Sequence, residues 1–255
     1  LDAMKASGDK FVMITAYDAT FARLASEAGA ETILVGDSLG MVLQGHETTI
    51  PVSLDAMVYH TECVARAKPR SLIVADLPFM SFSNADDALH ASTQLMQSGA
   101  QMVKLEGGTW LSDSIHRLVE RGVPVCAHLG LTPQSVNVFG GYRVQGRTPK
   151  EAKSILADAV EIQDAGASLL VLECIPAELA GDISSKLDIP VIGIGAGGGT
   201  DAQVLVLHDM LGMTESAPKF VQNFMQGADS IQDALAAFVR AVKSGEYPQE
   251  EHTYS

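Results

Sequence analysis

The chain has 255 residues, 47% of them hydrophobic, with 17 Lys and Arg against 31 Asp and Glu for a formal charge of −14. That balance repels phosphate backbones and anionic lipid surfaces, and no basic patch offsets it, so neither nucleic-acid nor membrane binding is expected. Cys63, Cys126 and Cys174 are far apart and lack C-x-x-C spacing, which argues against a disulfide framework or a zinc site and for a reducing cytoplasm. No apolar run reaches the length of a membrane span, and residues 1–10 lack the apolar centre of a signal peptide. A start at Leu1 instead of Met points to a short segment ahead of it.

In chain order, Phe11-Val12-Met13-Ile14-Thr15-Ala16 is an apolar run of strand length, closed by Tyr17-Asp18. Helical spacing follows, with Phe21, Leu24, Ala25 and Ala28 on one face and Gly29 placed as a stop. A second strand from Thr32 runs to Asp37, where an acid, a hydroxyl at Ser38 and a glycine at Gly40 end it abruptly. Ser53 is placed to cap a helix carrying Leu54, Met57, Val58, Val64 and Ala65, which Pro69 ends. Ser71 to Asp76 again reads as an apolar strand terminating in an acid, and Asn84 caps a helix bearing Leu89, Leu95 and Met96. The strand Met102 to Glu106 stops at Gly107-Gly108. Alternation along it puts Lys104 and Glu106 on the same side.

A helix over about 112–121 returns the chain to the strand Pro124 to His128. The glycine-rich loop that follows, of about twenty residues, is either a lid or a surface excursion. Thr148-Pro149-Lys150-Glu151 is the clearest helix start, with a capping Thr, Pro at the first position and Glu three after the cap. Strands Leu169–Glu173 and Pro190–Gly197 flank a helix through Leu179 and Ile183, an eighth strand is predicted over Val204–Asp209, and terminal helices and a polar tail finish the chain. Eight strands alternating with helices predict a single-domain (β/α)8 TIM barrel over residues 1–255, with an open doubly wound sheet as the alternative.

In a barrel these strand ends share one face, bringing Asp37, Asp76, Lys104, Glu106, His128 and Glu173 to a single mouth. Like charges in a partly dry site are costly unless a cation or a proton neutralises them. Hard oxygen donors without Cys or His spacing point to magnesium. The plain alternative has Lys104 paired with one acid and the others facing water. His128 either serves catalysis or only hydrogen-bonds the loop beneath it, while Cys174 alternates away from Glu173 and reads as packing. The glycines of 193–199 are either a phosphate cradle or a device for tight backbone packing.

Val35-Gly36-Asp37-Ser38-Leu39-Gly40-Met41, Ala75-Asp76-Leu77-Pro78-Phe79, Val103-Lys104-Leu105-Glu106-Gly107-Gly108 and His128-Leu129-Gly130-Leu131-Thr132-Pro133-Gln134 form a distinctive series. With Phe139-Gly140-Gly141-Tyr142, Leu172-Glu173 and Ile192-Gly193-Ile194-Gly195-Ala196-Gly197, the chain closely resembles the ketopantoate hydroxymethyltransferase family over nearly its whole length. The resemblance implies a (β/α)8 barrel and a homodecamer. It implies transfer of a hydroxymethyl unit from 5,10-methylenetetrahydrofolate to 3-methyl-2-oxobutanoate (α-ketoisovalerate), giving 2-dehydropantoate for pantothenate and coenzyme A. By position it implies that Asp37 and Asp76 bind Mg2+ directly, with Glu106 joining through water. Asp37, Ser38, Asp76 and Lys104 would meet the keto acid, and Glu173 would be the proton acceptor; no residue is implied for the folate. Cys174 stands where many members have Ser, and Gly198 where a larger residue is common; neither touches the implied chemistry.

The chemistry is coherent with those residues. A keto acid chelating magnesium through carboxylate and carbonyl oxygens has its enolate stabilised, Glu173 would take the proton, and Lys104 would balance the substrate carboxylate. Two other readings compete. A magnesium-dependent keto-acid lyase of the phosphoenolpyruvate mutase and isocitrate lyase type usually carries clustered acids after strand three and a Lys-x-Cys-Gly-His stretch. Here Asp76 is the one acid of its segment and no such stretch occurs. A non-catalytic metabolite-binding barrel would have no need of Glu173 as a base.

Overall fold

The computed structural model describes residues 1–255. Its strands are four to six residues long and almost wholly buried. A parallel sheet with two buried faces needs helices outside and packed side chains inside, and closure into a barrel supplies both. The strands are β1 (Phe11–Thr15), β2 (Thr32–Val35), β3 (Leu72–Asp76), β4 (Met102–Glu106), β5 (Val125–Gly130), β6 (Leu169–Glu173), β7 (Val191–Ile194) and β8 (Ala202–Leu205). They pair in sequence order, all parallel, and β8 pairs back to β1.

The helices are α1 (Asp2–Ser7), α2 (Ala19–Ala28), α3 (Leu39–Val42), α4 (Leu54–Arg66), α5 (Ala85–Gln97) and α6 (Ser112–Glu120). After them come α7 (Val136–Phe139), α8 (Pro149–Asp164), α9 (Ala177–Lys186), α10 (Leu207–Met210) and α11 (Ile231–Ser244). The local signals act as predicted. Ser53 and Asn84 accept from the free N–H groups of α4 and α5, and Thr148 and Glu151 close a reciprocal capping box on α8. Gly29 ends α2 at φ +96°, where a side chain would be strained. Helix α1 covers the amino-terminal end of the barrel, held by Lys5 Nζ at 2.7 Å from Asp201 and 2.8 Å from the Ser184 carbonyl.

The predicted eighth strand is corrected. β8 is Ala202–Leu205, and Leu207, His208 and Asp209 belong to α10. The cause is loss of partners: β1 ends at Thr15, and Leu207 N–H donates to the Thr15 hydroxyl at 2.8 Å instead of to a strand carbonyl. His208 and Asp209 therefore leave the sheet and stand on the rim. Likewise β2 stops at Val35, and the Asp37 N–H donates to the Asp76 carboxylate at 2.9 Å.

Register places the polar residues. Asp76 is level with Lys104, Glu106 with His128, and Glu173 with Gly130. Level neighbours in a parallel sheet point the same way, so these side chains share the inside of the carboxyl end. Gly130 has φ +90°. A Cβ there would lie 2.2 Å from the Glu173 carbonyl oxygen, so β5 and β6 approach too closely for any side chain at that level.

Candidate active site

A cavity of about 870 Å³ opens at the carboxyl end of the barrel, and Asp37, Ser38, Asp76, Lys104, Glu106, His128 and Glu173 all line it. Every polar strand-end residue expected from the sequence is thus in one place. Asp37, Asp76, Lys104, Glu106 and His128 are buried, between 2% and 5% exposed, whereas the Glu173 side chain retains 15%. Of the four strand-end carboxylates, Glu173 has the freest access to the cavity. Lys104 and Glu106 do lie on one side of β4, 3.7 Å apart.

The charges form a chain across the mouth. Lys104 Nζ lies 2.8 Å from Asp76 Oδ1, and His128 Nδ1 lies 3.2 Å from Glu106 Oε1. His128 Nε2 is 3.2 Å from Glu173 Oε2, at ion-pair distance but off the line a hydrogen bond needs. His128 therefore bridges the acid of β4 to the acid of β6. Its contacts are with the site's carboxylates and not with the loop beneath it.

Four carboxylates face two cations, an excess of negative charge in a largely dry place. Burial, with repulsion from Asp76 and Glu106, holds the Asp37 carboxyl well above the usual carboxylate range. Burial also raises Asp76, against the pull of Lys104. Burial works the same way on Glu106, yet the hydrogen bond from His128 and the Lys104 charge prevail and lower it. Burial opposes charge on Lys104, but Asp76, Glu106 and Asp37 more than compensate and hold it protonated.

For His128, burial and the Lys104 ammonium disfavour charging, but Glu106 and Glu173 outweigh them and push the imidazole up to about 9. A value above the unfolded one stabilises fully below about pH 6.5, and that stabilisation is lost as pH rises through the folded value. Metal-free protein should accordingly lose thermal stability as pH climbs from about 7 to 9.5. His128→Gln should flatten that slope in a melting-temperature series, and an unaltered slope would assign the titration to another group.

The donor set suits a divalent cation of the magnesium type. No three His, Cys, Asp or Glu side chains are arranged to hold an ion by themselves. Magnesium is usually held by one or two carboxylates, with water and substrate completing six positions. Asp37 and Asp76 are such a pair, and Asp76 Oδ1 is a buried oxygen without an aligned hydrogen-bond donor. Glu106 is more committed: Oε2 accepts from Gln134 N–H at 3.0 Å while Oε1 faces His128.

Gln134 is a residue for which sequence pattern alone supplies no role. Its Nε2 donates to Asp37 Oδ2 at 2.8 Å and to the Leu77 carbonyl at 2.9 Å. One residue after β5 thus fixes groups from the ends of β2, β3 and β4. Tyr17 was likewise unassigned, and its hydroxyl lies 2.9 Å from Ser38 Oγ. Of the long loop after β5, Tyr142, Arg143 and Val144 line the cavity, so this part of it covers the mouth. Tyr254 lines it too, carried there by the tail, whose carbonyl accepts from Ala177 N–H at 3.0 Å. The glycine run serves close packing of the chain. Cβ atoms at Gly195, Gly197 and Gly199 would meet Phe220, Ala177 and Gly181 at 2.6, 2.4 and 3.0 Å, so protein already fills those places. Cys174 is buried as expected and turns the chain out of β6 at φ +47°.

Comparison with known proteins decides the family. A sequence profile described as ketopantoate hydroxymethyltransferase matches residues 1–250. The chain belongs to the ketopantoate hydroxymethyltransferase family. A relative in this family, 3-methyl-2-oxobutanoate hydroxymethyltransferase 2 of Pseudomonas entomophila strain L48, is 58% identical over 257 aligned positions, covering 100% of this chain and 97% of that protein. The 3-methyl-2-oxobutanoate hydroxymethyltransferase of Marinobacter nauticus is 58% identical, with 98% and 95% covered.

Solved structures with the same barrel include a phosphoenolpyruvate phosphomutase from Streptomyces platensis subsp. rosaceus. It has TM-score 0.62 at 16% identity, with 95% of this chain and 86% of that one covered. Phosphonopyruvate hydrolase in complex with oxalate and Mg++ gives TM-score 0.62 at 14% identity, covering 98% and 91%. At those identities the likeness speaks for the fold alone. It explains why a lyase of that group competes on architecture while the sequence itself sides with the hydroxymethyltransferases.

Proposed function

We propose that this chain is a 3-methyl-2-oxobutanoate hydroxymethyltransferase, adding a one-carbon unit from 5,10-methylenetetrahydrofolate to C3 of the keto acid to give 2-dehydropantoate. The observation that carries the reading is the buried Asp37–Asp76 pair sharing one cavity with the more accessible carboxylate of Glu173. Asp37 and Asp76 would hold magnesium, with Glu106 acting through water. When bound, the ion would draw electron density from the keto group and so acidify the neighbouring C–H.

The remaining steps belong to side chains of this protein. Lys104 neutralises the substrate carboxylate and the ends of β3 and β4, so binding an anion does not add to an uncompensated charge. Ser38, its hydroxyl fixed by Tyr17, orients the keto acid. Glu173 removes the C3 proton, and His128 holds that carboxylate in place and balances the charge beside it. The substrate carbanion then attacks the methylene carbon as its bond to N10 breaks and that nitrogen is protonated. Water gives its hydroxyl to the same carbon as the bond to N5 breaks and N5 takes the proton, leaving tetrahydrofolate and the hydroxymethyl product. The cytoplasmic setting and the homodecamer belong to this same reading, and no helix is long and apolar enough to cross a membrane.

Formation of tetrahydrofolate from the keto acid and methylenetetrahydrofolate tests the reading directly. A lyase would instead cleave a keto-acid carbon bond without folate, and a binding barrel would turn over neither. Asp76→Ala should raise the magnesium concentration for half-maximal rate by roughly tenfold or more, the loss of one charged ligand contact. Unchanged metal dependence would remove Asp76 from the metal site.

A further inference from the structure

The cavity is far larger than a five-carbon acid needs, and its volume of about 870 Å³ is that of a drug-sized ligand site. Asp37, Ser38, Asp76 and Lys104 stand at the ends of β2, β3 and β4. The lining also includes residues after β8. Tyr17 contacts Ser38 Oγ at 2.9 Å, and the His208 ring sits 5.8 Å from the Tyr17 ring, with Asp209 next along α10. Asp209 is partly buried, and its Oδ1 accepts from the Thr214 hydroxyl at 2.5 Å while Oδ2 has no protein partner. His208 Nδ1 is buried without a hydrogen-bond partner. Beside these groups Val206, Met213 and Phe220 supply apolar surface.

We propose that Asp209 is the recognition residue for the one-carbon donor, its carboxylate accepting from the paired N–H groups on the pyrimidine edge of a reduced pterin. A planar pyrimidine ring with two adjacent donors on one edge is matched by a carboxylate held at an apolar wall. In such a ring the reactive methylene lies on the far side from the 2-amino and N3 donors. Docking that edge on Asp209 turns the methylene back along Tyr17 toward the keto acid. The open hydrogen-bonding position of His208 lies beside the same edge. Burial raises the Asp209 acid while Thr214 counteracts it, so Thr214 helps keep the acceptor ionised. The placement rests on the reading that the donor is a reduced folate.

The test uses the magnesium-loaded chain with Asp209→Asn, which keeps size and the Thr214 contact but turns an acceptor into a donor. The KM for methylenetetrahydrofolate should rise roughly 10- to 100-fold, as loss of charge-assisted hydrogen bonds predicts. The KM for the keto acid should stay within about twofold, because no hydrogen bond joins Asp209 to Asp37, Ser38, Asp76 or Lys104. Exchange of the C3 proton with deuterated water reads the keto-acid half alone and should persist. An unchanged folate KM, or a parallel rise in both KM values, would overturn the assignment.

A second arm uses a modified ligand. 2-Desamino-2-methyl tetrahydrofolate, which lacks one of the two donors, should compete with the wild type far more weakly than tetrahydrofolate does. Asp209→Asn should no longer distinguish the two, and equal binding of both by the wild type would sink the proposal. A wild type that forms no tetrahydrofolate and exchanges no C3 proton would defeat the hydroxymethyltransferase reading itself, an outcome separate from any result at Asp209.

Discussion

Replacing Glu173 with Gln should abolish exchange of the C3 proton of 3-methyl-2-oxobutanoate with deuterated water while leaving magnesium and keto-acid binding close to the wild type. A positioned base contributes roughly 10²- to 10⁴-fold, and loss of that order is expected in turnover as well. The reason lies in the contrast of exposure. Asp37, Asp76 and Glu106 are sealed behind the barrel rim and tied to Gln134, Lys104 and His128. Glu173, at the end of β6 and still 15% exposed, keeps an edge toward the space a substrate would fill. Gln preserves the volume while removing the charge and, with it, the capacity to accept a proton. Exchange persisting in the variant would strip Glu173 of the role of base.

The second large effect has opposite signs for stability and activity. Asp37→Asn should make the metal-free protein more stable and the enzyme at least roughly a hundredfold slower, the scale of losing a charged ligand to the metal. In wild type the Asp37 carboxylate is fully buried beside Asp76 and Glu106, and burial is the largest reason its acid is held well above the ordinary range. An acid with a raised folded pKa costs stability at neutral pH, and the cost is relieved as pH falls through the folded value. Asn removes the cost and still offers Gln134 an oxygen.

Each kcal/mol recovered is worth about 2–4 °C in a chain of this size. Metal-free Asp37→Asn should therefore melt above metal-free wild type. Added magnesium should raise the melting temperature of the wild type and leave the variant unmoved, since only a ligand that binds the folded state stabilises it. A variant that melts lower, or that still responds to magnesium, would show that Asp37 is not a repelled metal carboxylate.

Much of the fold could be read from residues because its signals are local. Ser53, Asn84 and Thr148 act within three residues of themselves, and the apolar runs that became β1 through β7 are bounded by glycine, proline or an acid. Asp76, Lys104, Glu106 and Glu173 were legible because a polar residue at the end of a buried strand has few uses except at a shared mouth. β8 was misplaced for a physical reason. Val206 and Leu207 continue an apolar run, and the Thr15 hydroxyl that diverts the chain into α10 lies 192 residues away. Long separation also hid Gln134, whose bond to Asp37 spans 97 residues, and Tyr254, which nothing near it in sequence assigns to the cavity.

Gln134 also bears on how this protein could be changed. Its amide and N–H tie together the ends of β2, β3 and β4, so Asp37 and Glu106 share one anchor with the Leu77 carbonyl and cannot be shifted singly. A library aimed at bulkier keto acids or altered one-carbon donors should spare residues 131–135, where any shift reaches three strand ends at once. The segment 206–218 is the better ground for variation aimed at the one-carbon donor. It lines the same cavity, yet no hydrogen bond joins its side chains to Asp37, Asp76 or Glu106. Selectivity and catalytic competence are in that sense carried by different stretches of the rim, and the first can drift while the second is held.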